Sequence, residues 1–237
     1  MNDLTHLKHI LPALLSLGLV VFLTGCGGRS GQADPAQVAG GANFYAGTSG
    51  NWGSARSSKA RATAFQRARP RDPLEVVTLY YDMEPNVMAM SQRGGNYDLR
   101  RARFTSPRGN IEYGVTRGGK RFRKAAPVGE RMFVIGDPGD PLGIYIRNRT
   151  NSRVEAVVSL DGLDVVDGQP AGFSKRGYIL DPGEKLFIRG WRTSYDSVVG
   201  MKFSDLRSPR MSAGGNAGVI GIAIFHEVGA PVISESP

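Results

Sequence analysis

Thiol chemistry has little to work with in this sequence, whose 237 residues hold one cysteine and three histidines. One cysteine cannot form an internal disulfide, and so few imidazoles leave no room for a Cys/His metal-ligand set. No metal site and no cofactor is expected. Aromatic residues are scarce as well, at 8%. The apolar run at residues 10–23 covers 14 residues, short of the roughly 20 that a helix needs to cross a bilayer. What the chain has instead is 32 glycines and 14 prolines, which favours short strands joined by turns over long helices. A hydrophobic content of 41% is enough to build a core in one or two domains of this size.

The amino end has the layout of a secretory signal peptide, with Lys8 ahead of the short apolar run and small residues behind it. It closes on Leu23-Thr24-Gly25-Cys26. This resembles the lipobox of bacterial lipoproteins. The resemblance implies cleavage before Cys26, a diacylglyceryl group on its sulfur and a further acyl chain (palmitate, for example) on its new amine. One short chain holds a protein to a membrane only marginally, whereas two or three hold it lastingly. Gly27, in place of an aspartate, implies sorting to the outer membrane, with the periplasmic or outward face left open. Processing would also remove His6 and His9, so that His226 remains as the histidine of the mature chain.

Charge is distributed unevenly. Residues 26–130 carry 17 Lys+Arg against 8 Asp+Glu, whereas residues 131–237 carry 12 of each. Any electrostatic partner is therefore expected on the first part of the mature chain. The stretch 26–72 is rich in Gly, Ala, Ser and Arg and reads as a flexible tether, with a short surface helix over 56–71. Residues 74–81 have the β-branched and aromatic content of a strand. A basic cluster follows: Arg100, Arg101, Arg103, Arg108, Arg117, Lys120, Arg121, Arg123 and Lys124, interleaved with Tyr97, Phe104, Tyr113 and Phe122. Such a pattern is either the solvated face of a sheet or a surface for an anionic partner. Beside a membrane, each cation adds on the order of 1 kcal/mol of attraction to anionic lipid.

From about residue 111 onward, short apolar runs alternate with turn signals, the pattern of an all-β domain. Strands are expected near 131–135, 143–149, 154–160, 163–166, 185–189, 198–203 and 218–225. Asp161-Gly162 between two apolar runs predicts a two-residue hairpin, and residues 218–225, apolar on both faces, predict a central strand. The expected fold is all-β, with a C-terminal β-sandwich (Ig-like or jelly-roll) behind a signal peptide and a flexible basic tether. The expected divisions are 1–25, signal peptide; 26–72, tether; 73–130, a basic β-containing segment that could join the sandwich; 131–228, sandwich; and 229–237, tail. Tyr145-Ile146-Arg147-Asn148-Arg149, Asp161-Gly162-Leu163-Asp164-Val165, Arg176-Gly177-Tyr178-Ile179-Leu180, Gly190-Trp191-Arg192 and Gly218-Val219-Ile220-Gly221 together resemble a β-rich domain of uncharacterised bacterial envelope proteins. That resemblance implies a fold and transfers no site.

Catalytic motifs are incomplete. Residues 114–121 approach a phosphate-binding loop, but Arg121 stands where a serine or threonine must hold Mg²⁺. His226-Glu227 lacks the second histidine of a zinc-protease motif, and no G-x-S-x-G is present. Asp161, Asp164 and Asp167 suit turn chemistry and a solvent-facing strand position, and the alternative is the carboxylate pair of a polysaccharide hydrolase. The leading expectation is a non-catalytic, lipid-anchored envelope protein that docks a protein or an anionic envelope component. Its candidate contacts are Arg100, Arg101, Arg103, Arg117, Lys120, Arg121, Arg123 and Lys124, with Tyr145, Arg147, Trp191 and Arg192 exposed on the sandwich. Nucleic acid would satisfy residues 97–124 too, but the expected location argues against it.

Overall fold

Strand pairing starts earlier in the chain than its composition suggests. The computed structural model describes residues 36–40, 55–92, 97–206 and 216–230. Residues 1–25, expected to be a signal peptide, Cys26 and residues 231–237 lie outside the described residues; the described residues all belong to one compact unit, Pro35–Pro237. In chain order the first strands are β1 (Ala36–Ala39), β2 (Ala55–Ser57), β3 (Ala60–Thr63) and β4 (Glu75–Asp82). Helix α1 (Glu84–Gln92) precedes β5 (Arg100–Arg101), β6 (Arg103–Thr105), β7 (Ile111–Thr116), β8 (Lys124–Val128) and β9 (Arg131–Ile135). Next come β10 (Pro141–Asn148), β11 (Val154–Leu160), β12 (Leu163–Asp164) and β13 (Tyr178–Leu180). The last four are β14 (Lys185–Ile188), β15 (Gly190–Arg192), β16 (Ser197–Lys202) and β17 (Val219–His226).

The fold is all-β, built as two sheets on a shared core. One sheet runs β3-β1-β13-β11-β17-β4-β9-β8-β5, with β12 beside β11. The other runs β15-β16-β10-β7-β6, with β14 on β10 and β2 on β16. Most neighbours are antiparallel, while β1/β3 and β4/β9 are parallel. In β4, Val77, Leu79 and Tyr81 point inward and are buried, whereas Val76 and Thr78 face solvent. That alternation belongs to a strand with one solvated face. As expected, β17 is central, with β11 on one side and β4 on the other. Ile220, Ile222 and Ile224 from β17 meet Ile144 and Ile146 of β10 and Val115 of β7 in one buried cluster. Each fully buried aliphatic chain contributes about 1.5–3 kcal/mol. The Asp161-Gly162 turn pairs Leu160 with Leu163. Both turn residues have positive φ, 54° and 81°, as a two-residue hairpin of this hand requires.

The early segments depart from expectation. Residues 36–39 and 55–63, read as tether, form β1, β2 and β3, which pair with β13 and β16. The short helix expected over 56–71 is absent, and Arg67 makes a single bridge to Glu227. Backbone groups of this alanine- and arginine-rich segment find partners on sheet edges, which a lone helical turn could not supply. The segment 73–130 supplies strands to both sheets.

One junction sets the position of the basic cluster. β5 ends one sheet and β6 ends the other, and Ala102, fully buried, lies between them in the chain. Ala102 N–H donates to the Arg123 carbonyl at 2.9 Å, and Val115 N–H donates to the Ala102 carbonyl at 3.0 Å. Arg123 N–H in turn donates to the Val115 carbonyl at 2.9 Å. Gly114 makes this approach feasible, since a Cβ there would fall 2.1 Å from the Ala102 oxygen.

Candidate anion-binding face

Register alone gathers much of the site. β10 pairs with β7 so that Tyr145 opposes Gly114 and Arg147 opposes Glu112. On its other side β10 sets Phe187 against Tyr145 and Lys185 against Arg147. β6 sets Arg103 against Gly114 and Thr105 against Glu112. Side chains of directly paired residues share a face. Ile144, Ile146 and Val115 fill the core, so Arg103, Glu112, Tyr145, Arg147, Lys185 and Phe187 occupy the opposite, outer face.

Tyr145 is the centre of that face. Its ring meets Phe122 edge-on at 5.2 Å between centroids and Phe187 at 5.0 Å. The Arg101 guanidinium lies 5.3 Å from the Phe122 centroid, and that of Arg103 lies 5.5 Å from it. Such stacking favours a cation while leaving its in-plane N–H groups open to ligands. Glu112 Oε1 accepts from the Tyr145 hydroxyl at 2.7 Å and from Arg103 Nε at 2.9 Å. Burial works to raise the Glu112 pKa, but the hydrogen bonds from Tyr145 and Arg103 outweigh it and leave the carboxyl below its ordinary value. Burial, and then the Glu112 carboxylate, push the Tyr145 hydroxyl up to about 12. At neutral pH the site therefore holds a carboxylate, a neutral phenol and several cations.

Two groups on this face matter because they lack a hydrogen-bond partner among the described residues. One is Arg147 Nε, which is buried. The other is Glu112 Oε2, since the bonds to this carboxylate converge on Oε1. An orphaned buried donor costs about 1–3 kcal/mol.

The chain was compared with protein-family models, curated proteins and solved structures. None matches. The site therefore rests on its own geometry.

The remaining cations expected at a site fall into two groups. Arg100, Arg101, Arg103, Arg117, Lys120, Arg121 and Lys124 are exposed. Arg100 pairs with Asp98 at 2.9 Å and Arg103 with Glu112 at 2.8 Å, whereas Arg101, Lys120, Arg121 and Lys124 make no ion pair among the described residues. Lys124 is paired directly with Arg101 across β5 and β8. Arg117, Lys120 and Arg121 ring the turn after β7, where Gly118 has a φ of 70° and Arg117 N–H donates to the Arg121 carbonyl. That turn is what residues 114–121 form in place of a phosphate loop. Arg123 belongs to the second group and corrects the expectation of a surface contact. It is buried against the Phe203 ring, with Nη1 on Asp140 at 2.6 Å and Nη2 on the Pro141 carbonyl at 2.7 Å.

Three sandwich residues expected to be exposed are buried: Tyr145, Trp191 and Arg192, at 2%, 1% and 2% exposure. Tyr145 still belongs to the face, covered by its aromatic neighbours. Trp191 packs into the core, and Arg192 Nη1 binds the carbonyls of Ser58, Ser194 and Tyr195. The cause is β2, which pairs with β16 and brings Ser58 to Arg192. Arg147 is half-buried on the outer face. Sequence reasoning missed Glu112, Lys185 and Phe187. Their available signal was alternation, with Lys185 and Phe187 out and Leu186 and Ile188 in.

The three aspartates considered for a hydrolase are each engaged locally. Asp161 accepts from the Tyr81 hydroxyl at 2.7 Å, the Ser204 hydroxyl at 2.8 Å and Gly218 N–H at 2.8 Å. Asp164 is 1% exposed, which overturns its expected solvent-facing position. Its Oδ1 accepts from Val166 N–H at 2.8 Å and Asp167 N–H at 3.2 Å, tightening the turn that buries it. Asp167 pairs with Lys175 at 2.7 Å. His226 closes β17 half-buried, and burial lowers its pKa. Among the described residues no three His, Cys, Asp or Glu side chains gather where they could hold a metal ion.

Proposed function

We propose that this chain is a lipid-anchored envelope protein, held to the outer membrane through Cys26, whose sandwich docks an anionic envelope component on the face around Tyr145. The anchor reading rests on Leu23-Thr24-Gly25-Cys26 behind a short apolar run. The docking reading rests chiefly on one observation. Arg101 and Lys124 are paired directly across β5 and β8, Lys120 and Arg121 lie in the turn that leads into β8, and all four are exposed with no ion pair among the described residues. Like charges held together repel and weaken a compact state, and an anionic partner relieves that repulsion. Stacking of Arg101 on Phe122 pre-positions one of these cations, which lowers the entropy lost on binding.

Two experiments test the two halves. Metabolic labelling with palmitate is expected to mark the protein and to vanish in Cys26→Ser; label retained in that variant refutes the anchor. On a sulfated-polysaccharide column, the Arg101→Glu/Lys124→Glu double variant is expected to elute at clearly lower salt than the wild type. Equal elution of a folded variant refutes the docking face.

A further inference from the structure

We infer that the ligand of this face is an acidic polysaccharide, whose sugar carboxylates bind Arg147 and whose hydroxyls donate to Glu112. This rests on the anion-docking reading above and narrows it to one class of polymer. Arg147 is the first reason. It makes no hydrogen bond or ion pair among the described residues, its Nε is buried, and the register sets it between Glu112 on β7 and Lys185 on β14. A partly exposed guanidinium that no side chain of the described residues pairs, flanked by a lysine, is placed for an oxyanion. A guanidinium engages a planar carboxylate through two parallel N–H bonds, which gives the choice of anion a geometric basis.

Glu112 is the second reason, and it argues against a purely electrostatic patch. A surface evolved to meet a dense array of lipid phosphates or a nucleic-acid backbone gains nothing from a carboxylate at its centre. Glu112 stays ionised, because Arg103 and Tyr145 hold its Oε1, and its Oε2 remains open as an acceptor. The ligand that uses an open acceptor next to an open cationic donor carries hydroxyl donors and spaced negative charges together. Sugars bearing carboxylates do so.

The aromatic rings supply the third reason. Phe122 and Phe187 are half-buried and flank the buried Tyr145, so the face carries apolar surface beside its polar groups. A sugar ring presents C–H groups on one side and hydroxyls at its rim, and thus matches a ring edge bordered by polar side chains. Lys124, Arg101, Arg121 and Lys120 continue the positive charge beyond Phe122, as an extended polymer rather than a single sugar would require.

The test is calorimetric titration of the full-length protein in detergent with polygalacturonate, against three other probes. These are uncharged dextran, phosphatidylcholine vesicles containing phosphatidylglycerol, and single-stranded DNA. Polygalacturonate is expected to bind the wild type more tightly than any of the other three. Arg147→Gln is expected to weaken it about tenfold or more, as loss of a charge-assisted pair predicts. Glu112→Gln, which keeps an acceptor oxygen but removes the charge, is expected to strengthen vesicle and DNA binding relative to polygalacturonate. Binding of vesicles or DNA as tightly as polygalacturonate, still sensitive to Arg101→Glu/Lys124→Glu, would overturn the polysaccharide assignment and leave the docking face standing. Absence of binding to every anionic probe would overturn both. Arg147→Gln with unchanged polygalacturonate affinity would remove Arg147 from the site and refute the inference even where the polymer binds.

Discussion

Removing the Glu155 carboxylate should unlock the early part of the chain from the sandwich. Arg67 and Glu155 form an ion pair at 2.7 Å with side chains 4% and 0% exposed. Arg67 also donates to the carbonyls of Pro70, Phe173 and Lys175, and its guanidinium lies 3.7 Å above the Phe225 ring. Glu155 Oε1 accepts from Gly177 N–H at 2.7 Å, and Arg176 stands 3.7 Å from Oε2. Glu155→Ala leaves a desolvated cation facing a cavity. Breaking a buried pair from one side costs about 3–5 kcal/mol, and the three carbonyls that remain on Arg67 place the loss near the lower end. At about 2–4 °C per kcal/mol for a domain of this size, the melting temperature should fall by roughly 6–12 °C. Replacing both charges, as Arg67→Met/Glu155→Met, should recover most of that loss, because no isolated charge is then left buried. Urea unfolding followed by tryptophan fluorescence measures Glu155→Ala beside the four proteins of the cycle: wild type, Arg67→Met, Glu155→Met and the double variant. A Glu155→Ala loss below about 1 kcal/mol, or a double variant as unstable as the two single losses summed, would refute the reasoning.

Asp161→Ala should destabilise by about 2–3 kcal/mol, since it strands the buried Tyr81 hydroxyl, while Asp161→Asn, which keeps an acceptor and tolerates the positive φ, should cost less. Equal losses in chemical denaturation would count against that account. Burial raises the Asp164 pKa to about 6. The folded state then holds its proton more tightly than the unfolded chain, so this group's contribution to stability falls as pH rises from about 4 to about 6. The difference in urea midpoint between wild type and Asp164→Asn should shift in favour of the variant across that range; a pH-independent difference would reject it. Gly114→Ala should destabilise the fold and weaken polyanion binding together, because the added methyl meets the Ala102 carbonyl at the junction that seats the site. A thermally unchanged Gly114→Ala protein would show that the junction yields.

Legibility in the sequence followed the range of the interaction. Asp161-Gly162 announced its hairpin because the turn's demand for positive φ is written in two adjacent residues. The centrality of β17 could be read from its unbroken apolar run. Arg67 and Arg192 could not be told from surface arginines, because the groups that bury them are far away in the chain: Glu155 is 88 residues from Arg67, and Ser58 is 134 from Arg192. The same limit hid the structure in residues 36–63, whose strands depend on edges offered by β13 and β16. At the candidate face, interleaved cations and aromatics were visible, but Phe104 and Tyr113 turned out to pack against the core. Phe187 took their place, through a strand register that composition does not encode.

The junction at Ala102 has a consequence for crowding, whatever the face binds. An outermost strand offers unpaired N–H and C=O groups to any passing chain, and a long, neutral one invites stacking into fibres. Here the outermost strands on this side, β5 and β6, are two and three residues long and contain Arg100, Arg101 and Arg103. Copies of the chain brought side by side would thus repel where they could otherwise zip together, and neutralising these arginines should raise its tendency to aggregate.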